Sequence, residues 1–336
     1  MTKKLKKFSQ AQTIALGFFI VILTGTLLLM LPFASRDGQS IGFIPALFTA
    51  SSATCVTGLV VVDTYTHWTL FGQLVIITLI QIGGLGFVTI GVLFAMALNR
   101  NIDLKQRTLI RESVNSIQLG GVVKLVRKIF MGTIMFELAG AVILSIFFVP
   151  RLGLLRGIYY GVFHSISAFC NAGFDLMGYK ALYSSFTAEY DSIIINVTIM
   201  SLIVIGGIGF IVWDDISKHG LHFKKYMLHT KIVLSTTAFL IFGGAFLFYI
   251  FERNNLMADM SVKGKILSSL FSSVTARTAG FNTIDTASLT SSSKLLTIIL
   301  MFIGGSPGST AGGVKTTTVS TIIFYVWSNL RSGNDC

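Results

Sequence analysis

Charge is scarce in this chain of 336 residues. Asp, Glu, Lys and Arg make up 12% of it, about half the roughly 25% typical of soluble domains. That scarcity argues against a water-soluble globule. Cysteine is scarce as well, and three residues cannot build a disulfide framework. A cleavable signal pattern is missing: Lys3, Lys4, Lys6 and Lys7 lead into an apolar run too long for a signal peptide. The acids are scattered, without the convergent nucleophile, base or metal ligands that catalysis requires, so the chain reads as a non-enzyme. Hydrophobic residues, by contrast, make up 53% and the mean hydropathy is +0.77. The 33 glycines suit close packing between membrane helices.

Long apolar runs fall at about 12–33, 70–98, 129–149, 192–213, 231–251 and 295–327. Each reaches the roughly 20 residues that cross a bilayer. Between the members of each pair lie shorter segments, 43–53, 158–169 and 264–275, which end in small polar residues and glycine. They are too short to cross and read as re-entrant helices. With the N-terminus placed in the cytoplasm, the inner segments hold sixteen basic and five acidic residues, whereas the outer segments hold nine and eight. This positive-inside bias assigns the net charge of +12 to membrane topology and argues against nucleic acid as a partner. The expected organisation is a cytoplasmic N-terminus at 1–11, units at 12–98, 129–213 and 231–327, basic cytoplasmic loops at 99–128 and 214–230, and a cytoplasmic tail at 328–336. The lipid bilayer is the expected surrounding and the plasma membrane the expected location.

The order of span, short helix, glycine loop and span occurs three times. Phe48-Thr49-Ala50-Ser51-Ser52-Ala53 leads into Thr54-Cys55-Val56-Thr57-Gly58. Phe163-His164-Ser165-Ile166-Ser167-Ala168 leads into Cys170-Asn171-Ala172-Gly173, and Phe271-Ser272-Ser273-Val274-Thr275-Ala276 into Arg277-Thr278-Ala279-Gly280. A Gly-Gly pair follows in each next span: Gly83-Gly84, Gly206-Gly207 and Gly304-Gly305. Such self-similarity is the strongest signal present. A permeating cation must exchange water for other oxygens, and backbone carbonyls of an extended loop supply them where glycine permits the unusual dihedrals. The C-terminal ends of the short helices, carrying roughly half a negative charge each, favour a cation at the same place.

These loops, with Ile80-Gln81-Ile82-Gly83-Gly84-Leu85-Gly86-Phe87 and Met301-Phe302-Ile303-Gly304-Gly305, resemble the Trk/Ktr/HKT superfamily of potassium transporters, nearest to its Ktr-type membrane subunits. The resemblance covers nearly the whole chain. It implies an all-α membrane protein of three span–pore-helix–span repeats: six transmembrane helices and three re-entrant pore loops in a pseudo-fourfold, channel-like arrangement that lacks its fourth unit. It also implies potassium uptake. Val56, Thr57, Gly58, Asn171, Ala172, Gly173, Thr278, Ala279 and Gly280 match the filter, where K+ is held by backbone carbonyls. Glycine at each of the three positions resembles the potassium-preferring pattern. Gly304, Gly305, Ser306, Gly308, Ser309, Thr310, Gly312, Gly313 and Lys315 match an intramembrane gating loop. No covalent cofactor is implied, while Na+ is a candidate stimulating ion. The implied partners are a second copy of the chain and a cytoplasmic ring of nucleotide-binding (KtrA-like) subunits. The family carries four units, and the sequence given carries three. A truncated gene or incomplete sequence, a fourth unit on a separate chain, and a non-conducting or modulatory product all fit that difference.

Other residues have plainer expectations. Arg277 would repel a cation, so its side chain is expected behind the filter, bonded to carbonyls or to Asp285. Cys55 and Cys170 read as small residues filling tight space. Glu137 is expected to pair with a polar group on a neighbouring helix. Lys315 reads equally as an electrostatic barrier in the pathway or as a snorkelling interfacial cation. His219, His222 and His229 read as a solvated or docking surface. Gly308 to Thr316 fails as a phosphate loop because Val314 separates the second glycine from the lysine.

Overall fold

The computed structural model describes residues 9–86, 89–92, 96, 108, 122–220 and 222–332. Most of the N-terminal segment, nearly all of the basic loop at 99–128 and the end of the tail lie outside the described residues. The helices are α1 (Gln10–Leu29), α2 (Phe43–Thr54), α3 (Thr64–His67), α4 (Leu70–Leu85), α5 (Val122–Leu152) and α6 (Leu154–Phe169). They continue with α7 (Ile193–Gly207), α8 (Phe210–His219), α9 (Leu228–Glu252), α10 (Val262–Thr275), α11 (Ser291–Phe302) and α12 (Thr316–Ser332). Among the described residues the extended pairing is limited to two isolated bridges, Ser35 with Trp68 and Ile303 with Val314.

Polar caps set several starts. Ser9 and Gln12 form a capping box on α1, in which the Ser9 hydroxyl accepts the Gln12 N–H at 3.2 Å and Gln12 Oε1 accepts the Ser9 N–H at 2.9 Å. Thr69, Ser261 and Thr290 cap α4, α10 and α11 through their hydroxyls. Helices α1, α5 and α9 are each long and apolar enough to cross a bilayer. Their outer faces carry exposed large apolar side chains, among them Phe19, Met131, Val142, Phe239 and Phe246. Water would not tolerate such continuous stripes, whereas hydrocarbon does. The molecule is a multi-pass membrane protein.

The second helix of each unit is interrupted. α4 stops at Gly86, which has φ +80°, and residues 89–92 are again helical. α7 and α8 are separated by Ile208-Gly209 and meet at 97°. α11 and α12 are separated by residues 303–315. A break was expected in the third unit alone. At Gly209 the cause is contact with that third break: its φ is +93°, a Cβ would lie 2.6 Å from the Pro307 carbonyl oxygen, and the Phe210 N–H donates to the Gly308 carbonyl at 2.8 Å.

Three packed pairs organise the interior: α1 with α2, α5 with α6 and α9 with α10. One continuous apolar core joins the first two pairs to the end of the third. It includes Ala50, Ile76, Ile80, Phe148, Phe163, Phe169, Phe174, Ile199, Phe271 and Phe281. The short helices α2, α6 and α10 therefore end inside the protein, where packing holds the loops that follow them.

Candidate functional site

The three glycine loops meet. A Cβ on Gly58 would lie 2.6 Å from the Ala172 carbonyl oxygen, and one on Gly173 would lie 2.6 Å from the Ala279 oxygen and 2.8 Å from Gly280 Cα. One on Gly280 would lie 3.1 Å from Gly173 Cα and 3.8 Å from Gly58 Cα. Residues more than 200 positions apart in sequence thus converge on one small volume.

Each loop repeats the same backbone. Gly58, Gly173 and Gly280 have φ of +81°, +74° and +87°. Two residues earlier, Val56, Asn171 and Thr278 have φ of +55°, +59° and +71°. The three loops thus share left-handed dihedrals at alternate residues. Asn tolerates this conformation, but β-branched Val56 and Thr278 are strained in it, and such strain persists only where the surroundings impose it.

Hydrogen bonds from the helix ends supply part of that constraint. The Thr57 N–H donates to the Ser52 carbonyl at 2.8 Å, Ala172 to Ser167 at 2.8 Å and Ala279 to Thr275 at 2.9 Å. The Ser167 hydroxyl reaches across the second loop to the Phe174 carbonyl at 2.6 Å, and Thr275 does the same to Phe281 at 2.6 Å. The loop N–H groups are thereby drawn back toward the helices. Among the described residues no hydrogen bond reaches the carbonyl oxygens of Val56, Thr57, Gly58, Asn171, Ala172, Gly173, Thr278, Ala279 or Gly280. Asn171, Ala172 and Ala279 are buried, and buried carbonyls are nearly always paired. The converging loops thus carry nine backbone carbonyls without protein donors.

The Gly-Gly pairs explain how the short helices come so close. A Cβ on Gly83 would lie 2.0 Å from the Thr54 carbonyl oxygen, and one on Gly206 would lie 2.0 Å from the Phe169 oxygen. These are equivalent contacts in the first two units. In the third, Gly304 instead closes the broken segment, with its would-be Cβ 1.8 Å from the Gly312 oxygen.

Residues 303–315 pack beneath the second and third loops. The Thr310 hydroxyl donates to the Phe169 carbonyl at 3.0 Å and accepts from Asn171 Nδ2 at 2.8 Å. The Gly312 N–H donates to the Thr278 hydroxyl at 3.2 Å. The Ser306 and Thr316 hydroxyls bond each other at 3.0 Å, and Ser309 donates to the Ser306 carbonyl at 2.6 Å. Gly305, Gly308 and Gly313 belong to the same closed turn, in which the Gly305 N–H donates to Gly312 at 3.0 Å. Lys315 folds back so that Nζ donates to the Ala311 carbonyl at 2.8 Å.

Glu137 receives Gln81 Nε2 at 3.2 Å, a polar partner on neighbouring α4. Cys170 is buried against Gly84, whereas Cys55 is exposed, so the space-filling expectation fails for Cys55. The proposed Arg277–Asp285 contact is corrected as well. Asp285 accepts from Ala287 N–H and the Ser288 hydroxyl in an exposed loop. Arg277 is 6% exposed, and among the described residues its Nε has no partner. The hydroxyl straps of Ser167 and Thr275 and the side-chain ties of Asn171 and Thr278 had no sequence expectation, since hydroxyls are common in all three approaches.

Beyond the apolar part of the α7–α8 pair, Asp215 links α8 to the start of α9. Its carboxylate accepts the Met227 N–H at 2.9 Å and bonds His219 Nδ1 at 2.9 Å. Burial opposes its ionisation, but these hydrogen bonds prevail and hold the carboxyl below its ordinary range. His219 is therefore tied to an acid rather than simply solvated. A depressed carboxylate stabilises the fold above its unfolded value and loses that contribution as pH falls through the folded value. Asp215→Asn is expected to cost about 2 kcal/mol at neutral pH. In thermal unfolding in detergent, the gap from the unsubstituted protein should close below pH ~4. A gap unchanged at acid pH would show that the carboxylate charge contributes nothing.

A helical membrane protein in which three glycine loops converge, with backbone carbonyls that accept no protein hydrogen bond, has the arrangement expected of an ion transporter, and comparison with known proteins specifies which. The family described as TrkH, cation transport protein, matches residues 5–335. The potassium/sodium uptake protein NtpJ of Enterococcus hirae is 45% identical over 326 residues, 96% of this chain and 70% of that protein. The Ktr system potassium uptake protein B of Bacillus subtilis is 43% identical over 327 residues, 97% of this chain and 72% of that protein. The crystal structure of the potassium transporter TrkH from Vibrio parahaemolyticus superposes with a TM-score of 0.68 at 21% identity. The chain spans 99% of itself and 64% of that structure's length in the match. This chain belongs to the TrkH family of cation transport proteins, which are ion transporters and not enzymes.

Proposed function

We propose that the chain forms the potassium pathway of a Ktr-type uptake system in the plasma membrane, with N- and C-termini cytoplasmic. The nine carbonyls without protein donors carry this reading. They replace the hydration shell of K+, and the negative ends of α2, α6 and α10 add to the attraction. In this reading α2, α6 and α10 are pore helices of three repeated units, at 12–98, 129–213 and 231–327. Val56 to Gly58, Asn171 to Gly173 and Thr278 to Gly280 are the filter. Residues 304–315 form the gate, and the Lys315 ammonium adds a positive barrier there. A cleft of about 330 Å³ lies between the first and third loops, lined by Thr57, Leu59, Thr278 and Gly280 among others. The names of the relatives, a potassium/sodium uptake protein and a Ktr system protein, support K+ as substrate, Na+ as a second relevant ion, and membership of a multicomponent system. A homodimer seated on a nucleotide-binding cytoplasmic ring is the assembly this implies, with the 214–230 loop as a docking surface.

Expression in cells lacking their own potassium uptake systems tests the proposal. Growth and K+ uptake at low external potassium are expected, and Gly173→Arg should remove both. Uptake that appears only with a co-expressed fourth unit would establish split assembly. Uptake equal with and without Gly173→Arg would refute the filter.

A further inference from the structure

The broken segment does more than lie under the filter: it holds two of the three left-handed non-glycine filter residues by their side chains. Asn171 and Thr278 occupy equivalent left-handed positions in the second and third loops. Asn171 Nδ2 donates to the Thr310 hydroxyl at 2.8 Å, and the Thr278 hydroxyl accepts the Gly312 N–H at 3.2 Å. The first loop carries Val56 at the same position, and its side chain has no polar atom to offer. Thr310 is itself fixed: it is 9% exposed, its N–H donates to the Gly206 carbonyl at 3.2 Å, and its hydroxyl donates to the Phe169 carbonyl at the end of α6. One residue thus joins the second-unit span, the second pore helix and the second filter loop.

Asn171 is 1% exposed, and among the described residues its Oδ1 has no partner. The Thr310 hydroxyl is therefore the hydrogen-bond partner through which its amide is held. Left-handed conformations at non-glycine residues persist when their surroundings over-determine them. If segment 304–315 moves, both ties break together, and Asn171 and Thr278 are released toward more favourable dihedrals. Their carbonyls then rotate away from the cluster.

We infer that Thr310 is a positioning residue for selectivity: with Gly312 it clamps Asn171 and Thr278 from below, so the gate segment and the filter change state together. The inference rests on the filter reading above and adds a coupling to it. Without the clamp the carbonyl cluster is loosened and discriminates poorly between K+ and the smaller Na+.

The test compares Thr310→Val, which keeps the shape and removes the hydroxyl, with Thr310→Ser, which keeps the hydroxyl. In cells lacking their own potassium uptake systems, the ratio of K+ to Na+ uptake is measured alongside the amount of protein in the membrane. Thr310→Val is expected to lower the ratio roughly tenfold, the effect of losing a hydrogen bond and stranding two buried partners. Thr310→Ser should stay within about twofold of the unsubstituted protein. Thr278→Val, which removes the second tie, should lower the ratio in the same direction, and it decides the matter if Thr310→Val fails to accumulate. An altered flux with an unchanged ratio in the valine variants would overturn the coupling. So would a serine variant as impaired as the valine one. Absence of K+ uptake by the unsubstituted protein, both alone and with a co-expressed fourth unit, would instead overturn the filter reading, and the inference with it.

Discussion

Gly173→Ala is expected to reduce potassium uptake by about a hundredfold or more, although the change adds a single methyl group. Two costs coincide. The backbone at Gly173 has φ +74°, a conformation that L-residues adopt at a penalty of roughly 1–2 kcal/mol. The new Cβ would also sit 2.6 Å from the Ala279 oxygen and 2.8 Å from Gly280 Cα. Those atoms are backbone and cannot rotate aside, so the third loop must move. A displacement that misplaces carbonyls around the ion needs to raise the barrier by only ~3 kcal/mol to give a hundredfold loss. Gly58→Ala, at φ +81° and 2.6 Å from the Ala172 oxygen, should behave alike. Gly243→Ala provides the contrast. It lies within α9 with nothing inside 4 Å of its would-be Cβ, and alanine there should stabilise by roughly 0.5–1 kcal/mol with uptake retained. Uptake assays on all three, normalised to membrane protein, separate an effect of filter geometry from a general intolerance of glycine replacement. Gly173→Ala with near-normal uptake would remove the filter from this position.

The loops were legible because they depend on local chemistry written three times. Small polar residues, then glycine, then a Gly-Gly pair mark where a helix ends and where another backbone approaches. The same local rules missed the breaks at Gly86 and Ile208-Gly209. Both lie in strongly apolar surroundings that satisfy every requirement of a continuous span. What interrupts α7 is partly remote, since Phe210 bonds the Gly308 carbonyl almost a hundred residues away. Arg277 illustrates the opposite failure. A nearby acid in sequence suggested a partner, but the loop from Phe281 to Asp285 carries that acid to the surface, where Ser288 and Ala287 satisfy it. The ties between Thr310 and Asn171 were hidden for the same reason as the break in α7. They join residues 139 positions apart, and no periodicity records such a pairing.

The opposite response is expected at Gly304, where a methyl group should release flux rather than block it. The broken segment is closed by a short paired stretch. Gly304 donates to the Val314 carbonyl at 3.1 Å, Gly305 to Gly312 at 3.0 Å, and Val314 to Phe302 at 3.0 Å. This closure depends on two backbones almost touching: a Cβ on Gly304 would lie 1.8 Å from the Gly312 oxygen and 2.8 Å from Gly313 Cα. Neither strand can accept the methyl group without separating from the other. Loss of two or three backbone hydrogen bonds, at about 1 kcal/mol each, shifts the segment's balance toward a displaced state by on the order of a hundredfold. If residues 304–315 are the gate, Gly304→Ala should raise uptake under conditions where the unsubstituted protein is closed, by tenfold or more on the same scale. Gly304 is not one of the filter residues, so Gly304→Ala does not relieve the clash that Gly173→Ala introduces, and the double variant should again fail to transport. A Gly304→Ala protein that reaches the membrane in normal amount yet shows no gain in unstimulated uptake would deny the segment its gating role. It would leave the filter intact as a separate matter, because the two sites predict changes of opposite sign.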